Sequence, residues 1–123
     1  MLIEKLQGTS EKISNEVISA IYLNLGAIAS QQNYPEEAII YYERCLELRE
    51  RERNLKDCEL IKCYELLGLE CLKADSVDSA IDWFSKACNS SKNEYGESIE
   101  LANALLNLGE AFNRSGKLQV AID

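Results

Sequence analysis

Residues 22–45 read YLNLGAIASQQNYPEEAIIYYERC, and residues 64–87 read YELLGLECLKADSVDSAIDWFSKA, with the same residue types at many equivalent positions. A third copy includes the same LNLG at residues 106–109. The Leu-Gly pair recurs at steps of 42 and 41 residues, and an Ala-Ile pair follows each glycine by twelve positions. The chain is therefore built on an internal repeat, which is typical of repeat architectures.

The apolar residues around each glycine predict a helix. They stand four positions and one position before the glycine, and three positions after it. The residues at these places are Tyr22, Leu25 and Ala29, then Tyr64, Leu67 and Cys71, then Leu105, Leu108 and Phe112. Because this spacing places side chains on one helical face, each copy is predicted to contain a helix A with the glycine. A short turn then leads to a helix B with the alanine.

Helix B carries a repeated pattern of its own. The aromatic residues Tyr42 and Phe84 follow Ala38 and Ala80 by four positions. Small residues on both helices are expected to let the two backbones cross closely, while the aromatic ring fills the space alongside. Trp83 is predicted to pack against a neighbouring repeat, since aromatic residues on helices mostly fill cores.

Turn and cap residues agree with this division into helix pairs. Glycine in a left-handed conformation commonly ends a helix, whereas proline or a small polar residue begins one. Helix ends are predicted at Gly96 and Gly116, and helix starts at Pro35, at Asp75 or Ser76, and at Ser98.

The composition predicts a single all-α domain. Of the 123 residues 46% are apolar, and only one proline and six glycines interrupt a sequence rich in helix formers. No run reaches the roughly 18 apolar residues that would span a bilayer, and the first ten residues lack the apolar segment of a secretory signal. A cytoplasmic location is therefore expected, with a nuclear location as the alternative.

The charge of the chain bears on its partners. Thirteen basic residues stand against 21 acidic ones, for a net charge of -8. Nucleic-acid binding relies on clustered lysine and arginine, so a nucleic-acid partner is not expected. A protein partner of basic or mixed charge fits better, and no membrane partner is predicted.

The residues needed for common catalytic and metal sites are missing. The sequence contains no histidine, and its five cysteines include no Cys-x-x-Cys pair. We therefore predict no catalytic residue, no metal, no cofactor and no enzymatic activity. The cysteines are interpreted as small apolar side chains in a reducing compartment, in preference to reactive or metal-binding thiols. They are Cys45, Cys58, Cys63, Cys71 and Cys88.

These patterns resemble the tetratricopeptide repeat, in which Leu-Gly on helix A precedes alanine, an aromatic residue and a small residue on helix B. The resemblance implies a right-handed superhelical array of antiparallel helix pairs, an α-solenoid. The period of 41 to 42 residues exceeds the usual period of about 34 in this family. It is similar to that of kinesin light chains and the LGN/Pins adaptors.

The resemblance covers residues 1–123 as one repeat domain. Residues 1–10 are interpreted as the tail of a preceding repeat, 15–53 and 55–92 as two repeats, and 98–123 as a truncated third repeat. The chain is thus interpreted as a slice of a longer array. Repeats are stabilised by their neighbours, so the apolar face of the third A helix is expected to be poorly covered. A homodimer formed through that repeat is a further expectation.

In this family the A helices line a concave groove, which implies an adaptor or scaffold that binds a peptide or helix of another protein. The residues expected to line it are Asn24, Gln31, Lys62, Leu66, Leu69, Lys73, Asn103, Asn107, Glu110 and Arg114. Asn24 and Asn107 are the strongest candidates, because asparagine is a poor helix former and its amide can donate to and accept from a peptide backbone. One alternative is that these amides bond locally; another is that the segment serves self-association and has no peptide ligand of its own.

Overall fold

The computed structural model describes residues 14–51 and 57–116. In these ranges the chain forms five α-helices and no strand. They are α1 (Asn15–Gln31), α2 (Pro35–Glu50), α3 (Asp57–Lys73), α4 (Val77–Tyr95) and α5 (Ile99–Ser115). Helices α1, α3 and α5 are the predicted A helices, and α2 and α4 are the B helices of the first two copies. The prediction of an all-α array of helix pairs is confirmed.

Each helix packs mainly against the next one along the chain, and α5 also contacts α3. Helices α1 and α2 form the first pair, and α3 and α4 form the second. The predicted tail at residues 1–10 and the end of the predicted truncated repeat, residues 117–123, lie outside the described residues. The repeat boundaries therefore stay predictions.

Several helix ends follow the predicted turn chemistry. Helix α2 begins at Pro35, and α4 ends before Gly96, whose φ is 65°. Helix α5 ends before Gly116, which is left-handed with a φ of 80°. At the start of α5 the Ser98 hydroxyl accepts the backbone N–H of Leu101 at 3.2 Å. These ends are set by local conformational preferences that the sequence records.

A left-handed residue recurs after each A helix. Asn33 and Asp75 have φ values of 68° and 63°, and Gly116 has a φ of 80°. Each stands seven positions after the repeated glycine of its copy. Glycine, asparagine and aspartate adopt this conformation most readily, so the three residue types share one structural role.

The N-cap of α4 lies at Ser76, one of the two predicted positions, but the expected side-chain cap is missing. Asp75 is the left-handed residue of the turn, and Ser76 takes the N-cap position without a capping side-chain hydrogen bond. The Ser76 backbone N–H instead donates to the carbonyl of Cys71 at 2.8 Å. A backbone hydrogen bond that closes the end of α3 therefore precedes α4, in place of a hydrogen bond from a capping side chain.

The repeated glycines make room for the aromatic rings of helix B. A Cβ atom on Gly26 would stand 2.5 Å from Cε1 of Tyr42, and one on Gly68 would stand 2.5 Å from Cε1 of Phe84. Both rings are buried. The sequence predicted that each glycine lets two backbones cross closely. In the structure each glycine instead makes room for the aromatic ring of helix B.

Three clusters of buried side chains form the core. The first joins α1, α2 and α3 around Tyr42, and the second joins α3, α4 and α5 around Phe84. The third includes Ala104 and joins the same three helices as the second. Trp83 packs against the first two clusters, as predicted, and stacks on Tyr64 with ring centres 6.0 Å apart. The core is therefore shared between the helix pairs.

The third A helix is covered less well than the first two. Leu105 is 51% exposed, whereas the equivalent Tyr22 is buried and Tyr64 is half-buried. A Cβ atom on Gly109 would have no neighbour within 4 Å in the described ranges. This glycine therefore offers a natural comparison for the two that face a ring.

We predict that Gly68→Ala destabilises the protein and that Gly109→Ala does not. The new Cβ atom of Gly68→Ala meets the buried Phe84 ring, and such overpacking costs about 1–3 kcal/mol. The better helix propensity of alanine returns up to about 1 kcal/mol at either position. Urea unfolding followed by circular dichroism measures both variants. Equal changes in the free energy of unfolding would contradict the role given to the ring contact.

Candidate functional site

The residues predicted to line a groove lie on α1, α3 and α5. We call these ten residues the A-helix face: Asn24, Gln31, Lys62, Leu66, Leu69, Lys73, Asn103, Asn107, Glu110 and Arg114. Leu66 and Asn107 are half-buried, and the other eight are exposed. Leu66 packs against the first core cluster. Most of the A-helix face is therefore accessible to a partner.

A polar network joins α1 to α3 at one end of the A-helix face. The Ser30 hydroxyl donates to Oε2 of Glu70 at 2.9 Å. Lys73 Nζ donates to Ser30 Oγ at 2.7 Å and lies 3.4 Å from the same Glu70 oxygen. Glu70 is only 3% exposed, and its Oε1 has no hydrogen-bond partner within residues 14–51 and 57–116. A buried carboxylate depends on such partners, because burying an unpaired charge is costly.

Arg114 makes a similar connection between α3 and α5. Its Nη2 donates to the carbonyl oxygen of Leu72 at 3.3 Å, and this oxygen belongs to the last turn of α3. The same oxygen also accepts the backbone N–H of Asp75 at 3.1 Å, so the guanidinium adds a second hydrogen bond to it. Two cations of the A-helix face, Lys73 and Arg114, therefore hold successive A helices together.

A surface pocket of about 300 Å³ lies between α3 and α5. It is lined by Ile61, Lys62, Glu65, Tyr95, Glu100 and Asn103. Its charged groups are two carboxyls and one ammonium. Burial raises the pKa of the Glu65 carboxyl. A cation entering the pocket would therefore stabilise the ionised form of Glu65, which is incompletely hydrated.

Asn24 on α1 and Asn107 on α5 occupy equivalent places in the first and third copies, where the second copy has Leu66. Neither asparagine side chain forms a hydrogen bond with another residue of the described ranges. Asn103 stands one turn before Asn107, so the pocket and the Asn107 amide lie along one side of α5.

No group of three or more cysteine, aspartate or glutamate side chains comes together within the described residues. Cys45, Cys63, Cys71 and Cys88 are buried and free, as predicted, while the side chain of Cys58 is outside the described set. No helix in the described part of the chain has the length and apolar character needed to cross a membrane.

Comparison with known proteins places the chain in a family. The family profile described as tetratricopeptide repeat matches residues 17–93. The chain belongs to the tetratricopeptide repeat family. Members of this family bind protein partners and are typically interaction modules without enzymatic activity.

Solved structures agree with this tetratricopeptide repeat fold. BtubC (BKLC) from P. vanneervenii superposes with a TM-score of 0.76 at 26% sequence identity, over 85% of this chain and 42% of BtubC. The TPR domain of Arabidopsis FLU superposes with a TM-score of 0.73 at 22% identity, over 84% of each chain. This chain thus spans less than half the length of BtubC. Among curated protein sequences, none matches it.

The repeat pattern did not single out Glu70 as a residue with a special role. The first copy has Ile28 and the third has Ala111 at the same place, so Glu70 is a charged residue at an otherwise apolar repeat position. This charged residue at an apolar repeat position was the feature of the sequence that could have identified Glu70. The pocket residues Tyr95 and Glu100 come from the joint between a B helix and the next A helix, where the copies agree least.

We predict that Ser30→Ala lowers the free energy of unfolding by about 1–3 kcal/mol, because it removes a hydrogen bond from the buried Glu70 carboxyl. Ser85→Ala is the matched control, since Ser85 is a half-buried helical serine with no hydrogen bond to a described residue. Its effect is expected to stay within about 0.5 kcal/mol. Urea titration of both variants measures the difference. Equally small effects would show that the network contributes nothing to stability.

Proposed function

We propose that the A-helix face binds a peptide or a helix of a partner protein, as a non-catalytic interaction module. The observation that carries this proposal is the pair of asparagine amides at Asn24 and Asn107. Both stand at the same repeat position and have no hydrogen-bond partner among the described residues. Each amide has a carbonyl oxygen and two N–H groups with which to bond a peptide backbone.

The pocket between α3 and α5 supports a partner of basic or mixed charge. A lysine or arginine side chain of the partner would bring its cation to Glu65 and Glu100. Its methylene groups would lie against Ile61 and Tyr95, because long basic side chains cover apolar surface while their charge stays hydrated. The net charge of -8 would attract the same partner from a distance.

The remaining members of the A-helix face complete the proposed contact surface, and two of them, Lys62 and Asn103, also line the pocket. They are Gln31, Lys62, Leu66, Leu69, Asn103 and Glu110, with Lys73 and Arg114 at the ends of α3 and α5. A nucleic-acid partner is not proposed, because clustered basic residues are missing from this face. We also propose a cytoplasmic location, with a nuclear one as the alternative, since the described cysteines are unbridged.

We predict that panning random linear peptides against the full chain enriches sequences that contain lysine or arginine. The double variant Asn24→Ala/Asn107→Ala is expected to bind an enriched peptide at least about tenfold more weakly, or about 1.4 kcal/mol, because it removes both amides. Isothermal titration calorimetry gives the two dissociation constants.

The matched control is Asn89→Ala/Asn93→Ala, which removes two exposed amides from α4. Peptide affinity is expected to be unchanged in this variant. An equal loss in both double variants, or enrichment of acidic peptides, would contradict the proposed site.

A second candidate function is self-association through the third A helix. On α5 the apolar side chains of Ile99, Leu105 and Leu106 are exposed. Exposed apolar patches on soluble proteins commonly mark interaction sites. In this role the segment would join two copies of a larger scaffold and would have no peptide ligand of its own.

If this second function operates, light scattering after size exclusion will show a dimer whose population rises with concentration. Leu105→Gln is then expected to raise the dimer dissociation constant by about tenfold or more, because it replaces an apolar contact with a polar group. Ile40→Gln on α2 is the control, since the exposed fractions of Ile40 and Leu105 are 54% and 51%. A monomer at every concentration would remove this candidate.

A further inference from the structure

Two buried cysteines meet at the joint between the first and second helix pairs. Cys45 on α2 and Cys63 on α3 have their sulfur atoms 3.9 Å apart, within hydrogen-bonding distance. Their exposed fractions are 0% and 1%. A disulfide needs sulfur atoms about 2.05 Å apart, so the two sulfurs have to approach by about 2 Å. Because α2 and α3 already pack against each other, the approach of the sulfurs does not require either helix to pack against a different one.

Arg49 makes the two thiols unequal. Its Nη1 lies 3.5 Å from the sulfur of Cys63 and also donates to the carbonyl of Glu59 at 3.4 Å. The hydrogen bond between the two sulfurs, together with the charge of Arg49, lowers the pKa of Cys63 to about 7. The same hydrogen bond and burial raise the pKa of Cys45. The Arg49 contact therefore favours the thiolate, which is the reactive form, at Cys63.

The other described cysteines have different surroundings. Burial raises the pKa of Cys71 to about 11, with the carboxylates of Glu43 and Glu70 adding to the effect. Burial also raises the pKa of Cys88. Neither has a second sulfur within hydrogen-bonding distance in the described ranges. The pair is thus chemically distinct from its neighbours.

We propose that Cys45 and Cys63 form a reversible oxidation site, at which a peroxide converts the two thiols into a disulfide that joins α2 to α3. The Cys63 thiolate attacks one oxygen of hydrogen peroxide, the O–O bond breaks, and hydroxide leaves and takes up a proton as water. The resulting sulfenic acid on Cys63 is attacked by the Cys45 sulfur. The S–O bond breaks, and the thiol proton of Cys45 leaves with the oxygen as a second water. Two electrons pass from the thiols to the peroxide, and a dithiol reductant reverses the change by exchange.

Access to the pair runs past Arg49. Its side chain is half-buried and contacts the Cys63 sulfur, so in this proposal Arg49 moves aside to admit the oxidant. Peroxide is small enough to use such an opening. The disulfide would close a loop between the first and second helix pairs and would hold α3 in place against α2. Closing this loop restricts the unfolded chain and stabilises the folded one.

The test uses the full chain, fully reduced and then treated with hydrogen peroxide. Free thiols are blocked with N-ethylmaleimide, and tryptic peptides are analysed by mass spectrometry without reduction. The expected product is residues 45–49 joined to residues 63–73, with one N-ethylmaleimide on Cys71 and a mass otherwise about 2 Da below the sum of the reduced peptides. Because residues 63–73 also contain Cys71, the variant Cys71→Ala is the matched control and is expected to keep the link. Cys45→Ala and Cys63→Ala are each expected to lose it.

Thermal unfolding gives an independent readout on the unaltered chain. Oxidation is expected to raise the midpoint by about 5–10 °C, and a dithiol is expected to reverse this rise. The proposal is overturned if the link between Cys45 and Cys63 forms only in denaturant. It is also overturned if peroxide joins other cysteines in the folded chain, or if the midpoint of the linked protein does not rise.

Discussion

The contact between a glycine on helix A and an aromatic ring on helix B sets the geometry of each helix pair. Gly26 faces Tyr42 and Gly68 faces Phe84, with no room for a Cβ atom in either case. Any larger residue would push the ring or the helix away, so both residues of the contact have to recur together. The internal repeat of the sequence is therefore a consequence of solving the same packing problem in successive pairs.

Polar side chains of the A helices then join one pair to the next. Lys73 and the buried Glu70 connect α3 to α1, and Arg114 connects α5 to α3. These contacts occupy the same side of the array as the proposed ligand surface. Within the A-helix face, Lys73 and Arg114 thus hold the helices together, whereas the amides of Asn24 and Asn107 have no partner among the described residues. In the proposed interaction, the two cations fix the positions of the helices that carry the two amides.

Helix α3 is the element that these features share. It packs against α2 through Cys63, bonds α1 through Glu70, and lines the pocket with Lys62 and Glu65. A disulfide at Cys63 would fix the helix at a second point besides the Glu70 network. The proposed oxidation and the proposed peptide binding therefore both involve α3. A change in the position of this helix would alter both the cysteine pair and the pocket.

The sequence by itself determined the helix pairs, their order and most of their ends. Helical periodicity and the left-handed preference of residues such as Gly116 are local properties of the sequence. Because the same signals recur in successive copies, each copy supports the helices predicted for the others. Tertiary structure alone decided which polar and sulfur-containing side chains meet. Glu70 bonds Ser30 across 40 residues, and Cys45 meets Cys63 across 18, because separate helices pack together there. A local sequence pattern predicts neither contact. The surroundings of the buried Glu70 carboxyl and of the buried thiols are made by residues that are distant in sequence and come together only on folding.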